Sequence, residues 1–204
     1  QSDIDAARKK TQEAEKAVKA AEERKNTAVK EYEALDRQIE ETEKSILEVE
    51  DRIQYLPSVD EVNSEDEAIL SDLAESIDEL LQSTNLSQAE RDELLAEKES
   101  IREKLDKITE VKNGLDNLQL RDDAVDKENV NSNDRDTIET LIQDLQQILD
   151  ENENNMTEAE KQDVKNRIFG LQDELNNLEQ IRDDLEEVET LGNPSRGGYG
   201  STGK

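Results

Sequence analysis

The sequence predicts an all-α protein, an elongated coiled coil that continues into serial three-helix bundles with long helices shared between successive repeats. Three observations predict this fold. Only 31% of the residues are apolar and 2% are aromatic, so narrow seams between helices are expected in place of a thick globular core. Small and apolar residues recur at helical spacing. A unit made of one short and one long helix occurs twice.

The first helix is predicted over residues 3–56. Residues that are small or apolar, except for Lys25, alternate three and four positions apart from Ile4 to Leu56, with no Pro or Gly between them. Such a pattern is typical of one continuous coiled-coil helix, here of about 50 residues and roughly 80 Å at 1.5 Å per residue. Pro57 ends it, because proline lacks the N–H group that a continuing helix needs.

The first part of this helix, residues 1–37, differs from the rest in charge and in seam composition. It carries nine basic and nine acidic residues, so the net negative charge lies entirely downstream. The seam alternates between two positions of the heptad, and at the second position the first four residues are all alanine. Alanine lets another helix approach closely but buries little apolar area. We expect this segment to associate with a second copy or with another coiled-coil protein, and a lone solvated helix is the alternative. The predicted association seam consists of Ile4, Ala7, Ala14, Val18, Ala21, Ala28, Tyr32 and Leu35.

Two helices are predicted after a loop over residues 57–63. Ser64 with Glu67 has the spacing of a capping box and starts a short helix over about 64–84. Ser87 with Glu90 has the same spacing and starts a long helix over about 87–119. Together with the end of the first helix, these form the first predicted repeat, residues 38–110.

The same unit recurs in residues 111–191, the second predicted repeat. Val62-Asn63-Ser64 returns as Val130-Asn131-Ser132, 68 residues later, and Ser87 returns as Thr157, 70 residues later. The corresponding helices are predicted over about 132–152 and 157–191. Repeats that bury their apolar faces against their neighbours stack in series. The long-helix seam residues Leu94, Ile101, Leu105, Ile108, Val111, Leu115 and Leu118 match Val164, Leu171, Leu175, Leu178, Ile181, Leu185 and Val188.

This arrangement resembles the spectrin-type repeat, and it is similar to the helical spacer segments of some bacterial cell-surface proteins. The second resemblance is carried by Leu56-Pro57, by Asp60-Glu61-Val62 and by the helix pair that follows. It covers about residues 38–191 and is architectural, because the second copy lacks the Leu-Pro pair and the chain has no tryptophan. The resemblance implies a spacer.

Charge and composition exclude several classes of function. The formal net charge of −29 repels phosphate backbones and anionic lipid surfaces, so no nucleic-acid partner is expected. No apolar run approaches the roughly 20 residues that span a bilayer, so no membrane insertion is expected. His and Cys are both absent, which removes the commonest neutral base and the thiolate ligands. We therefore predict no enzyme, no catalytic residue, no cofactor and no specific metal site.

Three short motifs suggest sites of their own. Asn85 and Asn155 begin N-glycosylation sequons at equivalent turns, although Ser87 and Thr157 also fit helix caps. The Asp- and Asn-rich loop over residues 122–136 lacks the glycine and terminal glutamate of a calcium loop, so at most weak divalent binding is expected. The tail over residues 192–204 matches part of a phosphate-binding loop without the strand and helix that would support it, and a flexible Gly-rich tail or linker is predicted there.

The predicted function is that of a non-catalytic structural rod or filament-forming coiled-coil protein. The alternative is a monomeric helical stalk, spacer or scaffold that displays binding partners. A third hypothesis is the coiled-coil arm of a larger enzyme or ATPase. Because the chain opens at Gln1, a processed chain or an excised fragment is expected. Separately, an extracellular or cell-surface location is favoured over the cytoplasm.

Overall fold

The structure is a computed structural model that describes residues 2–127 and 129–192. These ranges contain helices, turns and loops but no strand, so the all-α fold class is confirmed. The coiled-coil and serial-bundle arrangement stays a prediction. The α-helices are α1 (Ser2–Ile53), α2 (Glu67–Leu81), α3 (Gln88–Asp123), α4 (Arg135–Asn152) and α5 (Glu158–Gly192), with short 3-10 helices at Ser64–Asp66 and Glu153–Asn155.

Helix α1 ends at Ile53, three residues before the predicted end at Leu56. The chain then tightens into a turn, in which the Leu56 amide donates to the Ile53 carbonyl at 3.0 Å. The early end has a steric reason. Pro57 disfavours α geometry in the residue before it, so the last turn unwinds ahead of the proline.

Asn63, rather than Ser64, caps the helical segment that leads into α2. The Asn63 side chain accepts from the Glu65 amide at 3.0 Å, and the Asp66 carboxylate accepts from the Asn63 amide at 3.0 Å. The prediction that Ser64 and Glu67 form a capping box is therefore wrong, because the box lies one residue earlier, at Asn63 and Asp66. The cap opens a single 3-10 turn before the α-helix begins at Glu67.

Helix α3 begins where the sequence predicts. The Ser87 amide donates to Glu90 Oε2 at 2.7 Å, and the Glu90 amide donates to Ser87 Oγ at 3.2 Å, which confirms this capping box. Arg91 also ties α3 to the end of α2, because its guanidinium donates to the Leu81 carbonyl at 2.7 Å. That bond satisfies a carbonyl that has no partner inside α2.

The hydrogen bonds at the start of α4 match those at Asn63. The Asn131 amide donates to Asp134 Oδ2 at 2.9 Å, and the Asn133 amide donates to Asn131 Oδ1 at 3.0 Å. Because this turn forms before the helix, α4 starts at Arg135, three residues after the predicted start. At the start of α5 the Thr157 amide donates to Glu160 Oε2 at 2.7 Å, and the Glu160 amide donates to Thr157 Oγ1 at 3.2 Å.

The chain divides into two compact units, with boundaries inside α2 and α3. The first unit comprises Gln1–Leu56 and Asp72–Ile101, and the second comprises Pro57–Ser71 and Arg102–Lys204. The predicted repeat limits at residues 37, 110 and 191 stay predictions. In the first unit, Arg52 of α1 pairs with Asp72 of α2 at 2.6 Å. Its buried apolar side chains are Ile46, Val49, Leu73, Ile77, Leu94 and Ile101.

The second unit is a helical bundle with an apolar core shared by α3, α4 and α5. Helices α4 and α5 pack against each other, and the second half of α3 adds its apolar face. Lys112 of α3 pairs with Glu67 at 2.8 Å, which ties α3 to the start of α2 within this unit. The buried residues of this core are Val111, Leu118, Ile138, Leu141, Leu145, Leu149, Met156, Val164, Ile168 and Leu171.

Candidate association surfaces

The first half of α1 exposes the predicted association seam. Every side chain from residue 2 to residue 41 is exposed, including the large seam residues Ile4, Val18 and Tyr32, with exposed fractions of 62%, 58% and 71%. The seam positions belong to one heptad pattern on a continuous helix, so they share a face. The described chain leaves this face uncovered. Pairing with a second chain stays a prediction.

The end of α5 exposes a second apolar stripe that the sequence analysis did not single out as a surface. Ile181, Leu185 and Val188 have exposed fractions of 55%, 60% and 65%. Their spacing of four and three residues places them on one face of the helix. Leu191, one turn further on, is 74% exposed. We call residues 181–191 the tail segment.

The equivalent stripe on α3 is covered. Val111 and Leu118 lie 70 residues before Ile181 and Val188, yet their exposed fractions are 4% and 6%. Both belong to the core that α4 and the start of α5 complete. An apolar face of this spacing is therefore buried on one long helix and open on the other.

Asn155 holds the loop before α2 against the turn before α5. Its side-chain Nδ2 donates to the Val59 carbonyl at 2.8 Å and to the Val62 carbonyl at 2.9 Å. Asn155 is only 6% exposed, and Val62 is fully buried. Because these carbonyls lie in a loop and lack helix partners, the amide satisfies acceptors that burial removes from water.

Glu160 adds a second tie between the same two segments. One carboxylate oxygen accepts from the Thr157 amide at 2.7 Å as part of the α5 cap. The other accepts from Ser64 Oγ at 2.8 Å. The cap of α5 is thus linked to the 3-10 turn that precedes α2, which neither capping pattern in the sequence indicates.

The two predicted glycosylation sites lie in different environments. A glycan on Asn155 would be attached at Nδ2, the atom that makes both carbonyl bonds in a buried position. Glycosylation of Asn155 would replace both bonds, and it stays a prediction. Asn85 is half-buried, and its backbone amide donates to Ser83 Oγ at 3.3 Å. Glycosylation of Asn85 stays a prediction.

A buried carboxylate in the second unit is held by cations. Asp122 is 1% exposed and accepts from Arg167 Nη1 at 2.7 Å, while Lys127 Nζ lies 3.0 Å from its other oxygen. The Arg167 guanidinium also donates to Asp163 at 2.8 Å. The bond to Asp163, followed by the bond to Asp122, raises the already high pKa of Arg167. The arrangement compensates a buried charge.

The remaining pKa shifts also favour charged forms. Glu67 raises the pKa of Lys112, first through a hydrogen bond and then through its charge. Hydrogen bonds to Ser87 lower the pKa of Glu90, and Lys161 lowers that of Glu158. General acid–base catalysis instead needs a pKa near the working pH. These shifts are typical of caps and ion pairs.

Several carboxylate oxygens of the Asp- and Asn-rich loop already have partners within the protein. Asp122 pairs with Arg167, Asp134 accepts from Asn131, and Asp126 accepts from Asn129 Nδ2 at 3.0 Å. Over residues 2–127 and 129–192, no group of three or more acidic side chains is placed to hold a metal ion. Within the same part of the chain, no helix is long and apolar enough to span a bilayer.

Comparison with known proteins gave no relative. No protein-family model, no curated protein and no solved structure matches this chain. The likeness to spectrin-type repeats and to bacterial spacer segments therefore rests on the sequence pattern alone. The predicted flexible tail and its partial phosphate-loop motif lie outside the described residues, apart from Gly192.

Proposed function

We propose that this chain is a non-catalytic structural protein that acts by helix–helix association through the seam on the first half of α1. The observation that carries the proposal is the exposure of every seam side chain on a helix that continues to Ile53. Scattered apolar residues on a surface need no explanation, but a heptad row on one face is typical of a coiled-coil interface.

The seam supports association that is weak and depends on concentration. Ile4, Val18, Tyr32 and Leu35 are its large members. Full burial is worth about 1.5–3 kcal/mol for a side chain such as Val, Leu or Ile, so four of them give about 6–12 kcal/mol per chain. Association costs roughly 4–15 kcal/mol in lost freedom. The alanines between them add little, so a reversible complex is expected.

A dilution series tests the proposal. Sedimentation or light scattering on the 204-residue chain should show a mass that rises with protein concentration. Ala21→Glu places a charge in the seam and should weaken association about tenfold or more, because an unpaired charge is costly to bury. Ala20→Glu is the matched control, because Ala20 is also exposed but lies outside the seam.

A monomeric stalk or spacer is the second candidate function. It is favoured by the matching hydrogen bonds at Asn63 and Asn131 and at Ser87 and Thr157, which are typical of units that repeat along a chain. A mass that stays monomeric at every concentration would refute association and leave the spacer as the function to pursue.

A further inference from the structure

We propose that the surface that receives the central part of the α1 seam is the tail segment of a second copy, so that copies associate head to tail. The inference rests on the proposed function and names its partner. The head segment is residues 8–30 of α1, and the tail segment is residues 181–191 of α5. Every residue of both segments is exposed.

The two segments have opposite charge. The head segment, the central part of the seam, contains eight basic residues and four acidic ones, a net charge of +4, and the acidic residues on either side of it bring residues 1–37 to a net charge of zero. The tail segment contains Asp183, Asp184, Glu186, Glu187 and Glu189 against a single Arg182, a net charge of −4. Two tails repel each other and two heads repel each other, whereas a head and a tail attract. Charge therefore favours unlike segments.

Side-chain size favours the same pairing. The head presents Ala14, Ala21 and Ala28 along its seam, and the tail presents Ile181 and Leu185. Large side chains pack well opposite small ones, because the layers then interdigitate without voids. Two heads would set alanine against alanine and bury little apolar area. The alanine seam, weak against itself, thus suits the larger residues of the tail.

The covered stripe on α3 supports a helical occupant for the tail. Val111 and Leu118 are equivalent in spacing to Ile181 and Val188, and they are buried against helices of the second unit. The tail lacks that cover within the described chain. A head-to-tail contact is heterologous and leaves one head and one tail free, so it extends into a chain of copies unless its geometry closes.

Two double variants test the pairing by complementation. The head variant is Ala14→Glu with Ala21→Glu, and the tail variant is Ile181→Glu with Leu185→Glu; all four positions are exposed. Phe169→Glu is the matched control for the tail variant, because Phe169 is an apolar residue of α5 that is 65% exposed but lies outside the tail. Helix content by circular dichroism should match wild type in every variant.

Sedimentation equilibrium gives the readout. Each double variant alone should associate at least about tenfold more weakly than wild type. An equimolar mixture should form a one-to-one complex that grows no further, because the head variant keeps its tail and the tail variant keeps its head. Added salt should weaken that complex, because opposite charges contribute to it.

A negative result for the proposed function differs from a negative result for the head-to-tail pairing. Wild type that stays monomeric at all concentrations refutes the proposed function. A tail variant that associates as wild type does, combined with a head variant that does not associate, would overturn the head-to-tail pairing and indicate contact between two α1 seams. A mixture of the two variants that stays monomeric also overturns it. Phe169→Glu should associate as wild type does.

Discussion

Asn155→Ala should lower the free energy of unfolding more than Asn85→Ala, the same replacement at the equivalent turn. Asn155→Ala removes two hydrogen bonds from Nδ2, at 2.8 Å to the Val59 carbonyl and at 2.9 Å to the Val62 carbonyl. A buried acceptor left without a partner costs about 1–3 kcal/mol. Water entry into the loop recovers part of this, so we expect a loss of about 2–4 kcal/mol in the free energy of unfolding.

Two further variants separate hydrogen bonding from packing. Asn155→Asp keeps the shape but loses the donor and places a carboxylate against two carbonyl oxygens, so it should destabilise the protein at least as much as Asn155→Ala at neutral pH. Asn85→Ala is the matched control at a half-buried turn, and its cost should be within about 1 kcal/mol.

Urea unfolding at pH 7, followed by circular dichroism, measures these differences. Because the chain has two units, hydrogen exchange of the amides in α4 and α5 should accompany it, since separate units need not unfold in one step. Equal losses for Asn155→Ala and Asn85→Ala would refute the reasoning. So would an Asn155→Asp protein with wild-type stability.

Two other perturbations give sharp expectations. Gly170→Ala should stabilise α5 by about 0.5–1 kcal/mol, because a Cβ there meets nothing within 4 Å; Gly114→Ala should gain less, because its Cβ would lie 2.7 Å from Ile148 Cδ1, which must move. Thermal unfolding of both variants checks this, and an equal gain would contradict it. Hydrogen bonds to Ser87 lower the folded-state pKa of Glu90, so the stabilisation it provides is complete above the unfolded-state pKa of about 4.3 and is lost as the pH falls through the lower folded value. Glu90→Gln should therefore reduce the acid-side loss of stability, and unchanged pH profiles would contradict this.

Capping boxes at the long helices could be predicted because their chemistry is local. Ser87 with Glu90 and Thr157 with Glu160 close their bonds within four residues. The short helix was harder, because two overlapping boxes compete there. Asn63 has Asp66 three residues on, just as Ser64 has Glu67. Local pattern does not choose between them, and the structure uses Asn63.

The role of Asn155 could not be predicted, because its acceptors lie far away in the sequence. Val59 and Val62 precede it by 96 and 93 residues. The sequence marks Asn155 only as a polar residue in a turn, which is a common place for asparagine. Its burial depends on how the loop before α2 and the turn before α5 meet, and periodicity within either helix pair does not reveal that contact.

Equivalence in the sequence predicts the kind of surface a residue forms, but not whether that surface is covered. Val111 and Ile181 occupy the same place in the pattern, yet their exposed fractions are 4% and 55%. The difference follows from the neighbouring helices. Helix α4 and the start of α5 pack on the α3 face, whereas no described helix packs on the tail segment. A sequence pattern alone would assign both stripes to a core. Their unequal exposure instead identifies the tail segment as the place where substitutions should alter association without disturbing the fold, which is why the complementation between head and tail variants is the decisive measurement.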